Sequence, residues 1–499
     1  MNKPPPNDSS DLARFGYKQE LNRSMGSFSS FAAGFSYISI LTGLLQTFYL
    51  GYAVGGPLFF WSWPIVLCGQ FLVALCFAEL AAEYPLSGGV YQWAKYVGSP
   101  AVGWITGWIY LACLITTLAA VALALQTSLP QISTVFQLIG NVHNFHDVAL
   151  NAILLGCILI ALSTLINSKG IRLLANINNI GVFAELAGII ILIVLLTFHA
   201  VRGPLDAVVF AEGNTSVNDL GSPFGIHALL ATCALTAGYV LYGFDTAGSL
   251  AEETHDPRRR APRAILQALT AAGIAGLLVL LLSFMAVQNL YQEEFGSAKG
   301  GLPQLIKTVL GEPLGKLFLC DVIFSIFVCA LAVHSGVVRL IFAMSRDNQL
   351  PFSSTLGTVS PKTQTPIIAS IVCGAGAMLI LVANLRFPKV IELVTSIAIL
   401  WANLAYFIVV TALLIKRIKK PYERSESTTG FSMGKLGLPV NVLAVCWGFF
   451  MVVNVAWPRT ATYGTEWYNQ WAALIYTLVM LTVGASYYLF FHIKKKSIT

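Results

Sequence analysis

Charge is what this sequence is short of. Only 11% of its 499 residues are Asp, Glu, Lys or Arg, against about 25% in a soluble globular domain, so a continuous water-facing surface cannot be built from it. With 56% hydrophobic residues and a mean hydropathy of +0.72, it reads as an integral membrane protein. No glycine-rich loop ends in GK[ST], which argues against ATP hydrolysis within this chain. The stretch from Met1 to Ser27 is polar, with Pro4, Pro5 and Pro6. It lacks the short apolar core and small-residue cleavage site of a secretory leader, so the first apolar run is expected to stay in the protein. There is no CxxC pair. The nine cysteines (Cys68, Cys76, Cys113, Cys157, Cys233, Cys320, Cys329, Cys373 and Cys446) all fall in apolar runs and are expected to be small buried hydrophobes. The seven histidines are scattered, which leaves a membrane-embedded enzyme without its constellation of ligands or bases, and neither metal nor cofactor is expected. The net charge of +7 is read as topology, with no nucleic-acid partner, because the basic residues sit where short membrane loops need them.

A membrane-crossing helix takes about 20 mostly apolar residues. Twelve runs qualify, at 28–52, 58–83, 100–127, 148–168, 177–200, 226–251, 263–287, 313–345, 366–384, 388–416, 438–457 and 468–492. A short amphipathic helix, Gly301 to Leu310, is expected before the eighth. Twelve crossings return the chain to the side it started from, and basic loops favour the cytoplasm. All but seven of the 30 Lys and Arg fall on one set of loops, the exceptions being Arg202, Lys299, Lys307, Lys316, Arg386, Lys389 and Arg459. Both termini are therefore expected to be cytoplasmic, with the lipid bilayer of the plasma membrane as the surrounding medium. Trp457, Trp467 and Trp471 read as anchors at the outer interface, while Lys416 to Lys420 and Lys494 to Lys496 suit contact with anionic lipid. The sequon at Asn214 to Ser216 falls in an outer loop.

Five crossings per unit would insert two copies of that unit in opposite senses, the inverted-repeat plan of many secondary transporters. Residues 28–200 (helices 1–5) and 226–416 (helices 6–10) fit that plan. They follow a cytoplasmic segment 1–27 and precede helices 11–12 at 438–492 and a tail at 493–499. The first helix of each half carries a glycine at a matching place, Ile40-Leu41-Thr42-Gly43 and Tyr242-Gly243-Phe244-Asp245. Breaks are expected there. Asp245 stands inside a membrane-length run, where a carboxylate is costly unless it faces a partner or a wet cavity.

Four stretches carry a resemblance: FSYISILTG (Phe35 to Gly43), AELAAEYPLSGGVYQWAKYVG (Ala78 to Gly98), YGFDTAGSLAEETHDPRRRAPRAI (Tyr242 to Ile265) and RLIFAMSRDNQLP (Arg339 to Pro351). With them the sequence resembles the amino acid–polyamine–organocation (APC) superfamily, in the amino acid/choline transporter branch that includes GABA-permease-like proteins, over roughly residues 15–495. The resemblance implies an all-α, LeuT-type fold of twelve helices with a 5+5 inverted repeat, a central site between broken helices 1 and 6, and alternating access. A zwitterion suits two half-helix ends of opposite partial charge. Its carboxylate is expected near Thr42 and Gly43, and its amine near the carbonyls of Tyr239 to Tyr242 and of Ser39, Ile40 and Leu41. Tyr239, Tyr242 and Phe244 either wall the site or simply pack. Asp245 binds the amine or, the favoured role, ties the second half-helix to its neighbours.

Glu185 lies in an otherwise apolar run, near the position where some proton-coupled relatives have a lysine. As a glutamate it departs from them. It either takes up a proton, since burial disfavours the carboxylate, or joins Ser335 as an ion ligand, or is a solvated acid at the mouth of its helix. The coupling ion is thus H⁺ or Na⁺. His334 is expected to be a hydrogen-bonded packing residue. Glu79 and Glu83, four apart on one helical face, are expected to pair with Arg339 and Arg346 when an inner gate shuts. The function expected is secondary transport of an amino acid or related small amine; choline or polyamine transport is the alternative within this fold, and a channel or an enzyme the alternative outside it. Nothing in the sequence shows an oligomeric state.

Overall fold

The computed structural model describes residues 12–208, 226–290, 292–297, 300–382, 385, 390–419, 430–463 and 465–490. The Asn214 to Ser216 sequon and the 493–499 tail lie outside them. Among the described residues the fold is all-α, and the only strand-like pairing is a single bridge between Met25 and Thr254. Lipid offers no partner to backbone N–H and C=O groups, and a helix satisfies them along its own axis. Among the described residues eight helical stretches are long and apolar enough to cross a membrane, and the apolar helices Leu229–Val240, Ile367–Val382 and Ala472–Tyr488 are shorter.

In chain order the principal helices are α1 (Ser27–Ile38), α2 (Ile40–Gly55), α3 (Ser62–Glu83), α4 (Gly89–Val97), α5 (Pro100–Ile132), α6 (Phe145–Ser168), α7 (Ile171–Phe198) and α8 (Ile226–Thr232). The last runs on through a π-helical turn (Cys233–Ala237) to Gly238–Val240. Then come α9 (Thr246–Ser249), α10 (Pro257–Ala286), α11 (Gly301–Leu310), α12 (Glu312–Arg346), α13 (Ile367–Val382), α14 (Val390–Lys419), α15 (Gly437–Ala456) and α16 (Ala472–Tyr488). α11 has the expected bounds. α7 and α10 begin six residues earlier than hydropathy suggests, because a helix continues past the apolar zone until something stops it. For α10 the stop is Asp256 followed by Pro257, a residue pre-set for a first helical position.

The stretch Ser27–Glu83, helical except at Ser39, spans 57 residues, about 85 Å if straight and far more than the roughly 30 Å of a bilayer core. It doubles back instead. Phe48 of α2 and Phe59 of the following turn both meet Phe284 near the end of α10. Further along α3, the Trp63 indole donates to Gly273 O, and near its end Ala82 O accepts from Arg258 at the start of α10.

The most enclosed helices are α5, with 78% of its apolar window buried, and α14, with 72%. They pack on each other and α5 packs on α12. By contrast α7 and α15 are 33% and 28% buried and turn Ile180, Phe183, Ile190, Leu443 and Phe449 outward, as faces toward lipid do. The cysteine expectation is corrected in part: Cys68, Cys320 and Cys446 are exposed on such outer faces, since a thiol is no more costly against lipid than in the core.

Candidate functional site

Two interruptions face each other inside the bundle. The first lies at Ser39, not at Ile40 to Gly43. Ser39 has φ 29° and ψ 92°, donates its N–H to Phe35 O to close α1, and starts α2 by accepting from Gly43 N. Gly43 is a helical residue whose missing side chain admits Val240: a Cβ there would stand 2.7 Å from Val240 Cγ2. Its role in close packing is therefore real, and the matching glycines do not mark matching breaks. The second interruption is longer, from Leu241 to Asp245, and Gly243 belongs to it, with φ +87° and the Tyr37 ring where a side chain would go. Because the first break falls at Ser39, the carbonyls of Ser39, Ile40 and Leu41 belong to the first turn of α2. The last-turn carbonyls of α1, Ser36 to Ile38, are the ones left without a helical partner; Tyr37 O accepts from Cys329 Sγ.

Asp245 ties the second interruption to two other helices. Its Oδ1 accepts from Tyr110 of α5 at 2.7 Å and, in a short hydrogen bond, from Tyr406 of α14, whose oxygen in turn accepts from Gly243 N at 3.0 Å. Tyr242, nearer the start of the unwound segment, is hydrogen-bonded to Thr117 of α5 at 2.8 Å, so the segment is anchored at Tyr242, Gly243 and Asp245. A carboxylate accepting two phenolic protons is a strong, directional clamp.

Glu185 is no solvated acid. It is buried, and its Oε1 accepts from Leu41 N at 3.2 Å and Ser39 Oγ at 3.0 Å. Ser335 is buried as well, and its Oγ has no hydrogen-bond partner. The N-terminal end of α2 carries partial positive charge, which is what draws Glu185 to it. His334 bridges Ser163 and Ser370 at 3.0 and 3.2 Å, the packing role expected of it.

Between the interruptions lies a cavity of about 20 Å³, room for one water molecule, lined by Tyr37, Ile38, Thr42, Gly43, Thr117, Val121, Tyr239, Tyr242 and Cys329. Tyr239 reaches Gln46 at 3.3 Å. Phe244 is not among the lining residues; it packs on Phe77 and Tyr406, because the chain has turned away from the cavity by that point. Tyr37, Thr117 and Cys329 went unread in the sequence, where a hydroxyl or thiol in an apolar run looks like ordinary packing.

Both ends of this site are shut. At the end bearing the N-terminal segment, Arg339 pairs with Glu253 and Arg346 with Glu252, all four bonds between 2.8 and 3.0 Å. This corrects the expected partners: Glu79 takes Arg417 and Glu83 takes Lys416. The reason is topological. The tight turn Ala251–Glu253 after α9 places its two carboxylates beneath α12, whereas the end of α3 lies against the end of α14. Residues Leu12 to Met25 then cross the same face. Ser24 N and Met25 N donate to Glu253 O, Gln19 to Glu252 O, and the Tyr17 hydroxyl to Asp347 at 2.8 Å, with the Arg346 guanidinium 3.9 Å over the Tyr17 ring. Burial, then the Asp347 carboxylate, pushes the Tyr17 hydroxyl up to about 12, so it stays a donor. At the opposite end Tyr49 donates to Glu392 at 3.1 Å, and Tyr52 stands edge-on to Phe295.

An all-α membrane protein whose helices come undone around a small closed cavity, with ion-paired and aromatic closures on either side of it, is a solute transporter rather than an enzyme. The chain belongs to the amino acid permease family, whose model matches residues 25–484. It is 27% identical to amino-acid permease BAT1 of Arabidopsis thaliana, over 96% of this chain and 93% of the relative. It is 27% identical to amino-acid permease 2 of Neurospora crassa, over 96% and 88%, and 25% identical to a GABA-specific permease of Saccharomyces cerevisiae, over 80% and 70%. The resemblance to the APC superfamily is thereby established, and the protein is an amino acid transporter whose environment is the lipid membrane.

Proposed function

We infer that this permease is a secondary active transporter which carries an amino acid or a GABA-like amine across the plasma membrane by alternating access, driven by protons. The observation that carries the reading is the pair of interruptions at Ser39 and Leu241–Asp245, face to face across a cavity lined by Thr42, Gly43, Tyr239 and Tyr242. The start of α2 attracts the substrate carboxylate. The open last-turn carbonyls of α1 and of the helix ending at Val240 attract the amine. Closure at both ends supports an occluded intermediate, from which one end or the other opens.

Twelve crossings follow if the doubled-back Ser27–Glu83 stretch counts as two and the three shorter apolar helices span as well. Residues 28–200 and 226–416 then form the inverted repeats of a LeuT-type fold, with 438–492 outside them. The face carrying Arg339, Arg346, Arg258 and Lys416 is the cytoplasmic one on the basic-residue rule, which places both termini there. Glu185 is the proton carrier, a reading supported by its buried place at the first interruption, where it is hydrogen-bonded to Ser39 and Leu41. Uptake into proteoliposomes of labelled amino acids, GABA, choline and polyamines, with pH and sodium gradients imposed separately, tests the reading. Amino acid or GABA uptake driven by the pH gradient is expected; uptake driven by sodium alone, or of choline and polyamines only, would overturn it.

A further inference from the structure

Two hydroxyls stand in line between the Glu185 carboxylate and the cavity. Glu185 Oε1 is 3.0 Å from Ser39 Oγ, and Ser39 Oγ is 2.7 Å from Thr42 Oγ1. Thr42 lines the cavity, and all three side chains are buried. Each hydroxyl has one proton to give, so the direction of donation along the row is set by its last member. While Glu185 is ionised it can only accept; Ser39 donates to it, Thr42 donates to Ser39, and Thr42 turns lone pairs toward the cavity. When Glu185 takes a proton on Oε1 it donates to Ser39 Oγ, Ser39 donates to Thr42 Oγ1, and the Thr42 proton is free to point into the cavity. The Tyr37 hydroxyl, on the same cavity wall and 4% exposed as a residue, has no hydrogen-bond partner, a second sign that the cavity awaits a polar occupant.

We propose that Ser39 and Thr42 form a hydroxyl relay that reverses when Glu185 is protonated, so that the cavity accepts a carboxylate only together with a proton. The inference rests on the cavity between the interruptions being the substrate site. One proton is gained by Glu185 as the carboxylate binds and is given up to the other side as it leaves; no other bond is made or broken. Ser39 is a positioning residue, while Thr42 touches the substrate. Binding linkage makes the effect reciprocal: the substrate raises proton affinity by the factor by which the proton raises substrate affinity.

The charged and titratable groups around Glu185 are few. Asp321 and Cys329 of α12 are within electrostatic reach, and Asp321 lies against Gly188, one turn along α7 from Glu185. α1 and α2 offer Tyr37, Tyr49 and Tyr52, and α11 offers Lys307, close to Glu312. On α10 the charges are Arg258 to Arg263 at its beginning, and on α6 the titratable residues are His146, Asp147 and Cys157.

The test measures binding of labelled alanine and GABA to the full chain in lipid nanodiscs between about pH 5 and 8. Ethylamine and propylamine, the same molecules without the carboxylate, are run as paired probes. The wild-type protein is expected to lose up to about tenfold in alanine or GABA affinity per pH unit, one proton's worth, and to show no such slope for the amines. Ser39→Ala and Glu185→Gln should flatten the slope, Thr42→Ser should keep it, and Asp321→Asn should leave it unchanged. A wild-type slope in Ser39→Ala, an equal slope for the amines, or a slope removed by Asp321→Asn would overturn the relay. If Ser39→Ala does not fold, Thr42→Val is the variant that must flatten the slope. Should the wild-type protein bind no carboxylate probe at any pH, the substrate-site reading fails instead, and that result is distinct from every outcome above.

Discussion

Arg339 and Glu253, 86 residues apart in the chain, grip each other through two parallel bonds of 2.9 Å, Nε to Oε2 and Nη2 to Oε1, with neither side chain more than 1% exposed. Removing one partner of a buried pair leaves the other charge stranded, at a cost of about 3–5 kcal/mol to the closed arrangement. Glu253→Gln should therefore open the N-terminal end. In a background that keeps Cys329 as its sole cysteine, thiol labelling of this cavity-lining residue from that side should accelerate at least about tenfold, and the exchanged pair Glu253→Arg with Arg339→Glu should slow it again. Labelling as slow as in the parent would mean that the pair does not hold this end shut.

Asp245 should be intolerant of Asn. The amide keeps the shape but loses the charge that makes two phenols point at one oxygen, and hydrogen bonds to a charged group contribute about 1.5–3 kcal/mol each. Uptake is expected to fall at least about tenfold in Asp245→Asn and in Tyr406→Phe, with the melting temperature in detergent showing that the protein stays folded. Normal uptake in both would remove Asp245 from the transport cycle.

Gly43 and Gly243 fail for different reasons, and the difference is measurable. Gly43→Ala overpacks against Val240, a cost of about 1–3 kcal/mol, and trimming the neighbour with Val240→Ala should restore stability and expression. Gly243→Ala meets both an unfavourable positive φ and the Tyr37 ring. No change at position 240 should rescue it, so rescue of both variants alike would contradict the assignment.

The Tyr17 latch should be indifferent to ordinary changes of pH. Its hydroxyl is held protonated up to about 12, above the free tyrosine value of about 10. A group raised in this way contributes fully below its unfolded value and is lost only as pH climbs through the folded one. In a Glu185→Gln background, Tyr17→Phe should thus speed thiol labelling of Cys329 from the N-terminal side by the same factor at every pH between about 6 and 9, the thiol's own ionisation cancelling in the ratio to the parent. A factor that changes within that window would place the controlling group elsewhere.

The apolar runs and the family-bearing motifs were legible in the sequence, since hydropathy follows directly from lipid exposure and AEETHDPRRR is a long, charged, locally readable stretch at the end of an apolar run. The first interruption was not. Gly43 drew attention to itself, yet the chain breaks at Ser39, a residue whose positive φ is stabilised by its own side chain and by Glu185 from another helix, neither of which leaves a local signal. The ion-pair partners of Arg339 and Arg346 were misread for a similar reason. Two acids, Glu252 and Glu253, stood in a quoted motif, but only the tertiary path of the turn after α9 shows that they, and not Glu79 and Glu83, lie beneath α12. Tyr110 and Tyr406 had no signal at all, because an aromatic hydroxyl in an apolar run is indistinguishable from packing until Asp245 is set beside it.

The strap across the N-terminal face has a consequence for how this chain is made. Tyr17 waits for a partner 330 residues downstream, and Ser24 and Met25 wait for Glu253. During synthesis, therefore, residues 17–25 leave the ribosome well before their partners and are among the last to find their place. Such distant contacts are slow to form, so a newly inserted copy spends its first moments unlatched at one end, and the seal is completed only after the eighth apolar run has been threaded into the bilayer.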